Sequence, residues 1–232
     1  MSGYVEIRND NNTIQINDSF ENLVLLKKFQ ISNWGKLGRS WNADITMPEY
    51  PSLLCVHNPS ADNVGVFYVV ASLKENRMSR NVYVETSSGR KPDFLEFFVF
   101  GKGNNTPTGS TGLHVYNNDG TCIFDSNRKY LNVVRLIHPT KDINNGYDEA
   151  GTISLQPGMK HAVCVPAQAN HFIADPGFMF RFYCFYLWLG AGTQSVWGKW
   201  DEVQSGGIDD DVDIDEYHGV MPIWIDANVT GY

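Results

Sequence analysis

The sequence contains no run of basic residues along its 232 positions, and its formal net charge is −8. A surface that binds nucleic-acid phosphates needs clustered Lys and Arg, so this composition argues against a nucleic-acid partner. The N-terminus also lacks a charged leader followed by an apolar stretch, a pattern that predicts no secretory signal peptide. We therefore expect neither nucleic-acid binding nor export by a signal peptide.

Long hydrophobic runs are missing too. The most apolar segment, 178–189, has 12 residues and contains Arg181. A membrane-spanning helix needs about 20 predominantly apolar residues. Membrane insertion is therefore not expected.

Cysteine is sparse, and no two of the cysteines are closely spaced. Zinc sites usually show two-residue spacings, and disulfide scaffolds are shorter chains with denser cysteines, so we expect reduced and mostly buried thiols. The four cysteines are Cys55, Cys122, Cys164 and Cys184. His161 and Cys164 have a spacing that two metal ligands could share, with His171 following, but a core strand position explains this cysteine more simply.

Recognisable catalytic motifs are absent from the sequence. It has no serine nucleophile elbow, phosphate-binding glycine loop or paired-histidine zinc helix. Glycoside hydrolysis needs only two carboxylates placed in space, so a small polysaccharide hydrolase stays open as an alternative. The carboxylates of the acidic segment 208–217 have the charge that a calcium ion prefers. A solvated loop, or an edge strand whose charges prevent pairing with another chain, is the interpretation that we favour for this segment. We expect no enzyme activity, catalytic residue, cofactor or bound metal.

What the sequence does contain favours strands and turns. Hydrophobic residues make up 42% and aromatic residues 13% of the chain, and glycine and asparagine are plentiful. No segment shows sustained helical periodicity, and even 18–29, the closest to it, is assigned to strands. The fold class is therefore predicted to be all-β.

The chain also contains an internal similarity. The opening, "GYVEIRNDNNTIQIND" from position 3, is similar to "GLHVYNNDGTCIFDS" from position 112. Under a shift of 108, Ile7 falls on Val115 and Ile16 falls on Phe124, with the turn in register. Two equivalent β-hairpins would produce this spacing of apolar residues.

Further blocks repeat in the same order. "ITMPEYPSLLCV" resembles "ISLQPGMKHAVCV", an alignment that matches Cys55 with Cys164. Later in each half, "FLEFFVFGKGN" resembles "VMPIWIDANVTG". The offset only grows along the chain, as insertions in the loops of a second copy would cause. We interpret the chain as two tandem antiparallel β-sandwich domains related by duplication, 1–101 and 112–232, joined by a linker at 102–111.

The segment 178–189 carries apolar residues on both faces of a strand. A strand with one face exposed to solvent would carry polar residues on that face, so both faces of this strand are expected to be covered. Core packing together with a subunit interface is the interpretation we favour. The interface residues expected from this pattern are Phe178, Phe180, Tyr183, Phe185 and Trp188. Nearby, Trp197 and Trp200 are candidates for a sugar-binding platform, although packing is their more ordinary role.

One stretch carries a resemblance to a known group of proteins. "GLHVYNNDGTCIFDSNRKYLNVV" resembles the opening of small structural proteins of tailed-bacteriophage virions, which combine a Gly-apolar start, a short strand, an Asn/Asp-Gly turn and a Phe-Asp-Ser element. The matching residues are Gly112, Leu113, Val115, Asn117, Asp119, Gly120, Phe124, Asp125, Ser126, Leu131 and Val133. The first copy matches less well, since Asn12 replaces the turn glycine and Asn17-Asp18 replaces Asp-Ser.

The resemblance implies a non-enzymatic virion component in the tail, tail tip or fibre attachment region. Such a protein would form a ring or trimer of copies of itself and contact neighbouring tail or baseplate proteins. It would be assembled in the bacterial cytoplasm and end in the virion. A receptor-binding or carbohydrate-binding module of a phage tail, contacting a host surface glycan, is the alternative from another class.

Overall fold

The computed structural model is a β-structure. The described residues are 6–8, 14–17, 22–47, 52–74, 77–104, 106–117, 119–137, 150–164, 170–175, 179–206, 217–218 and 223–232. They form strands and turns, with a short 3-10 turn at Ala191–Thr193. The expectation of an all-β fold is confirmed. Among these residues, no helix has the length and apolar character needed to cross a membrane.

The strands fall into two series along the chain. The first comprises β1 (Glu6–Arg8), β2 (Ile14–Asn17), β3 (Leu23–Ile31), β4 (Gly35–Leu37), β5 (Ser40–Thr46), β6 (Ser52–His57), β7 (Val64–Lys74), β8 (Arg77–Thr86) and β9 (Leu95–Lys102). The second comprises β10 (His114–Tyr116), β11 (Cys122–Asp125), β12 (Val133–Ile137), β13 (Ala150–Ser154), β14 (His161–Cys164), β15 (Asn170–Asp175), β16 (Met179–Leu189), β17 (Ser195–Gly206), β18 (Tyr217–His218) and β19 (Trp224–Asn228).

These strands build two hairpins and two large sheets. The hairpins are β1–β2 and β10–β11. One sheet has six strands in the order β12-β19-β14-β6-β9-β3. The other has nine strands, with the order β13-β17-β16-β7-β8-β5-β4, with β15 paired to β16 and with β18 paired to β15. Every pairing between described strands is antiparallel.

Side chains from both large sheets meet in one hydrophobic cluster. Val56 and Phe97 come from the six-stranded sheet, and Val66, Val84 and Leu187 come from the nine-stranded sheet. All five are buried. Because successive side chains of a strand point to opposite faces, this cluster takes alternate residues of each strand.

The remaining residues of β9 build a second cluster. Phe98 and Phe100 alternate with Phe97 and pack with Cys55 and Cys164 on the other face of the six-stranded sheet, fully buried. β9 is therefore covered on both faces, which explains its almost uninterrupted apolar sequence LEFFVFGK.

Backbone hydrogen bonds help to enclose the second cluster. The Leu25 N–H donates to the Lys129 carbonyl at 2.7 Å, and the Leu131 N–H donates to the Leu23 carbonyl at 2.8 Å. Residue 131 leads directly into β12, which lies at the opposite end of the sheet from β3. The six-stranded sheet therefore curls, so that β3 pairs with the segment leading into β12, and this contact helps to cover the face that carries the second cluster.

The strand order has mirror symmetry along the chain. In the six-stranded sheet, the strands of the first half run inward from one end as β3, β9 and β6. Their counterparts in the second half run inward from the other end as β12, β19 and β14. In the nine-stranded sheet, β5, β8 and β7 are matched in the same way by β13, β17 and β16. The two series join where β6 pairs with β14 and where β7 pairs with β16.

The registers repeat along with the order. In the first hairpin Ile7 pairs with Ile16, and in the second Val115 pairs with Phe124, each residue 108 positions later. An irregularity follows Ile7 in one hairpin and Val115 in the other. β3 and β12 likewise carry irregularities at Leu25/Lys27 and at Val133/Arg135, again 108 positions apart. The hairpins expected from the sequence are thus present with the same spacing.

The predicted linker, 102–111, begins at the last residue of β9 and ends before β10. Strands from residues 1–101 and from residues 112–232 lie side by side in both large sheets. The expected division into two domains stays a prediction.

Candidate functional site

The stretch that carries the phage resemblance folds into the β10–β11 hairpin, and hydrogen bonds fasten its two ends together. The Leu113 N–H donates to Ser126 Oγ at 2.9 Å, and the Ser126 N–H donates to the Leu113 carbonyl at 2.9 Å. Gly112 has φ +114°, and a Cβ at that position would lie 2.6 Å from Ser126 Oγ. The glycine and the serine of the pattern are therefore required by the same contact.

The turn of this hairpin is built by Asn117. Its side-chain oxygen accepts hydrogen bonds from the N–H groups of Asp119 at 3.1 Å and Thr121 at 2.9 Å. Gly120 has φ +77°, a conformation that side-chain-bearing residues rarely adopt. The Asn-to-Gly spacing predicted from the sequence is thus a turn with a defined geometry.

Asp125, the acid of the Phe-Asp-Ser element, anchors the segment 102–111. The Thr108 hydroxyl donates to its carboxylate at 2.6 Å, and the Thr108 and Asn127 N–H groups donate at 2.7 and 2.9 Å. The hydrogen bonds from Thr108, those from the backbone and the charge of His114 hold the pKa of Asp125 well below its usual range. The carboxylate is therefore ionised and fully engaged in holding the hairpin.

Arg128 holds the same segment from the other side. Its guanidinium donates to the Asn104 carbonyl at 2.5 Å, to Asn104 Oδ1 at 2.6 Å and to the Thr106 carbonyl. A Cβ on Gly103 would lie 2.6 Å from Arg128 Nη1 and 2.9 Å from Val24 Cγ2. The segment expected to be a linker is thus fixed by side chains of the second half against a strand of the first.

Gly112 offers a direct test of this hairpin. Gly112→Ala adds a positive-φ penalty and a clash with Ser126, and we expect a loss of about 1–3 kcal/mol in the free energy of unfolding. Gly120→Ala is the matched control, because nothing lies within 4 Å of its added Cβ, and only the left-handed penalty of about 1 kcal/mol remains. Urea denaturation of both variants measures the difference. Equal losses would contradict the contact with Ser126.

Two large apolar side chains of this region face solvent. Leu113 is 53% exposed and Tyr116 is 50% exposed, although the backbone around them is held by the hydrogen bonds of the hairpin. Beside the hairpin, a groove of about 560 Å³ runs between β3, the 102–111 segment and the loop before β12. Its lining includes Leu26, Asn104, Asn127, Arg128 and Lys129.

A second exposed apolar surface lies at the β12 end of the six-stranded sheet. Leu136 is 55% exposed and Ile223 is 43% exposed, and the neighbouring Val133 is exposed as well. Leu136 lies opposite Ile225 in the same way that Lys28 lies opposite Phe98, so Leu136 and Lys28 hold equivalent positions in the two halves. Ile223, two residues before Ile225, is equivalent to Glu96, two residues before Phe98. We call Val133, Leu136 and Ile223 the β12 surface.

The corresponding place in the first half is charged. Lys28 Nζ lies 3.5 Å from Glu96 Oε1, and Lys160 also binds Glu96. Burial alone would raise the pKa of Glu96, but hydrogen bonds from Lys160 and Gln30 and the two lysine charges lower it. Burial lowers the pKa of the neighbouring His57, whose Nδ1 donates to the His161 carbonyl at 2.7 Å. One half thus carries an ion-pair cluster where the other exposes apolar side chains.

A polar triad of His161, Asp226 and Arg135, the first two of them fully buried, lies between the two large sheets. His161 Nδ1 lies 2.8 Å from Asp226 Oδ1, and His161 Nε2 lies 2.7 Å from the Gln156 carbonyl. Arg135 Nε lies 3.5 Å from the other oxygen of Asp226. Each ring nitrogen of His161 thus lies within hydrogen-bond distance of an oxygen atom, one from Asp226 and one from Gln156. His161 and Asp226 have no exposed surface, so the triad is a structural ion-pair network.

The spacing of His161 and Cys164 does not produce a pair of metal ligands. The two residues are three positions apart in β14, and His161 bonds Asp226 between the sheets while Cys164 packs in the second hydrophobic cluster on the other face. The described part of the chain holds no group of three or more His, Cys, Asp or Glu side chains that could bind a metal. Free, buried thiols are found at Cys55, Cys122 and Cys164.

Trp188 is the one expected interface residue whose side chain is described. It is buried and stacks on Trp197, with ring centroids 5.8 Å apart. A Cβ on Gly65 would lie 2.7 Å from its ring, so the glycine makes room for it. The side chains of Phe180, Tyr183 and Phe185 lie outside the described residues. So do those of Phe178 and Trp200 and the acidic positions of 208–217.

Sequence reasoning did not identify the β12 surface or Arg128. The residues around Leu136 read as an ordinary β-strand, and only the structure shows that this position is exposed. A signal for the difference between the halves was present, since the 108-residue shift places Leu136 on Lys28. Comparison with known protein families, curated proteins and solved structures finds no match for this chain.

Proposed function

We propose that the protein is a non-enzymatic structural component of a tailed-phage virion, in the tail, tail tip or fibre attachment region, where it assembles with copies of itself. The observation that carries the proposal is the β10–β11 hairpin. The residues of the phage-like pattern, Gly112, Asn117, Asp125 and Ser126, each make a contact that fixes it. A rigid hairpin presenting exposed Leu113 and Tyr116 suits contact with a neighbouring subunit.

The finer architecture proposed is a pair of β-sandwich units that arose by duplication and share their sheets. The mirrored strand order supports it, as do the irregularities at Ile7 and Val115 and at Leu25 and Val133. A shift of 108 residues relates both pairs. Strand irregularities are inherited features of a fold and do not recur in step by alternation alone.

The β12 surface is the proposed contact between copies. β12 ends the six-stranded sheet, and its single charged residue, Arg135, is turned toward Asp226 and the Ser154 carbonyl. Strands at the end of a sheet are usually guarded by charges against pairing with another chain. In β3, at the other end, Lys27 and Lys28 provide such charges. A copy-to-copy contact would cover the apolar side chains that β12 leaves exposed.

The test transplants the first half's ion pair into the second. Leu136→Lys combined with Ile223→Glu is expected to reduce the molar mass measured by size-exclusion chromatography with light scattering. The circular dichroism spectrum should stay unchanged, because both side chains face solvent in the single chain. Leu37→Lys, on another exposed apolar residue of β4, is the matched control and should leave the mass as it is. A wild type that is monomeric at high concentration would contradict the assembly.

The virion role needs a separate measurement. Tail genes on both sides of the gene, together with detection of the protein by mass spectrometry in purified particles, are expected. Its absence from particles of a phage that encodes it would exclude the role.

Receptor binding is the second candidate. The half-buried Trp197, stacked on Trp188, is the observation that favours it, because sugar rings bind against flat aromatic faces. Binding on a glycan array, lost in Trp197→Ala, would favour this candidate over a purely structural one.

A further inference from the structure

Two cysteines meet where the halves of the chain join. Cys55 of β6 lies directly opposite Cys164 of β14 in the antiparallel register, next to the pair Val56 and Val163. Both cysteines are fully buried in the second hydrophobic cluster. This strand pair is the link between the two series of strands in the six-stranded sheet.

The neighbouring Cys164 also affects the acidity of the Cys55 thiol. A hydrogen bond with the Cys164 thiol, followed by burial, raises the pKa of Cys55 well above its usual value. The Cys55 sulfur is therefore held as a thiol, with little of the reactive thiolate at neutral pH.

Strand geometry already meets the main requirement for a bond between them. Directly opposed residues of an antiparallel pair have Cα atoms about 4.5–5.5 Å apart, and disulfides span Cα distances of about 4.4–6.8 Å. We propose that Cys55 and Cys164 form an oxidative modification site, at which a low-molecular-weight disulfide converts the two thiols into a cross-strand disulfide. This inference does not depend on the proposed virion role.

The reaction is a pair of thiol–disulfide exchanges. One cysteine, as its thiolate, attacks the small disulfide, forms a mixed disulfide and releases one small thiol. The second cysteine then attacks the protein sulfur of the mixed disulfide, forms the Cys55–Cys164 bond and releases the second small thiol. The protein loses two electrons and two protons, and the small disulfide is reduced to two thiols. Because both sulfurs are buried, the sheet must open locally before the first step, so opening sets the rate.

Oxidised glutathione is the probe. The full chain is incubated with it at mildly alkaline pH, with and without urea below the unfolding transition, and free thiols are then alkylated under denaturing conditions. Intact mass and peptide mapping are expected to show two of the four thiols lost and one cross-linked peptide joining residues 55 and 164. The rate should rise several-fold in urea. Cys122→Ser, the matched control, should react as the wild type does, and Cys164→Ser should form no internal disulfide.

Stability separates a native bond from a misfolded one. The oxidised protein, returned to buffer, should keep its circular dichroism spectrum and melt at a higher temperature, with the rise reversed by dithiothreitol. Stable glutathione adducts, a cross-link through Cys122 or Cys184, thiols that stay free after opening in urea, or a lowered melting temperature would each overturn the proposal.

Discussion

Asp226→Ala is expected to lower the free energy of unfolding by about 3–5 kcal/mol, since removing one partner of a buried ion pair leaves the other uncompensated. Asp226 binds His161 at 2.8 Å and Arg135 at 3.5 Å in the interior between the sheets. Without it, the His161 ring loses the acceptor of Nδ1 and keeps only the Gln156 carbonyl. Urea denaturation followed by circular dichroism measures the loss.

The first half of the chain supplies the control. By strand register, Val99 holds the position in the first half that Asp226 holds in the second, and Ser52 holds the position of His161. Val99 and Ser52 form no ion pair. The double variant Asp226→Val with His161→Ser installs those residues and is expected to recover part of the loss, because both fully buried members of the network are removed together and only the partly exposed Arg135 loses its partner. A loss below about 1 kcal/mol in the single variant, within the ordinary range of surface changes, would contradict the network.

Phe98→Ala is the second change with a large expected effect, a loss of about 3–5 kcal/mol in the free energy of unfolding. Phe98 lies on the face of the six-stranded sheet that turns away from the nine-stranded sheet. It is nevertheless fully buried, with Lys28 and Lys160 placed over its ring. If the curled sheet encloses this cluster, truncating its central aromatic ring leaves a cavity that the surroundings fill only in part.

Leu26→Ala is the matched control, on an exposed residue of the neighbouring strand β3, and should cost less than about 0.5 kcal/mol. A Phe98→Ala loss as small as that of Leu26→Ala would show that this face is open to solvent. Thermal denaturation of the two variants side by side distinguishes these results.

The sequence allowed the hairpins to be predicted because their signals are local. Alternation around Ile7 and Val115 and the turn at Asn117 and Gly120 depend on near neighbours in the chain, and the strands lie where those signals place them. The pairing of strands within the two large sheets could not be predicted in this way, because the alternation of apolar residues does not specify which strand lies next to which. The pairing of Cys55 with Cys164 across the halves therefore came from the structure.

The polar sites were harder still to predict. Arg135, His161 and Asp226 are far apart in the chain and belong to different strands, so no spacing relates them. Their meeting depends on three strands of the second half lying side by side in the order β12-β19-β14. The exposure of Leu136 has the same origin, because burial is decided by what packs against a strand.

The curled six-stranded sheet affects how the chain reaches its native state. β3 contacts residues 129–131, and β6 pairs with β14, so the first half completes its sheet only with strands made later. At about 5–20 residues per second, synthesis of the second half takes on the order of ten seconds. During that time β3 lacks its contact with residues 129–131, and β6 lacks its pairing with β14. Pairing between such distant segments is slow, and the first half is therefore expected to complete its folding only after the second half has been synthesised, which makes the nascent first half the species most in need of a chaperone.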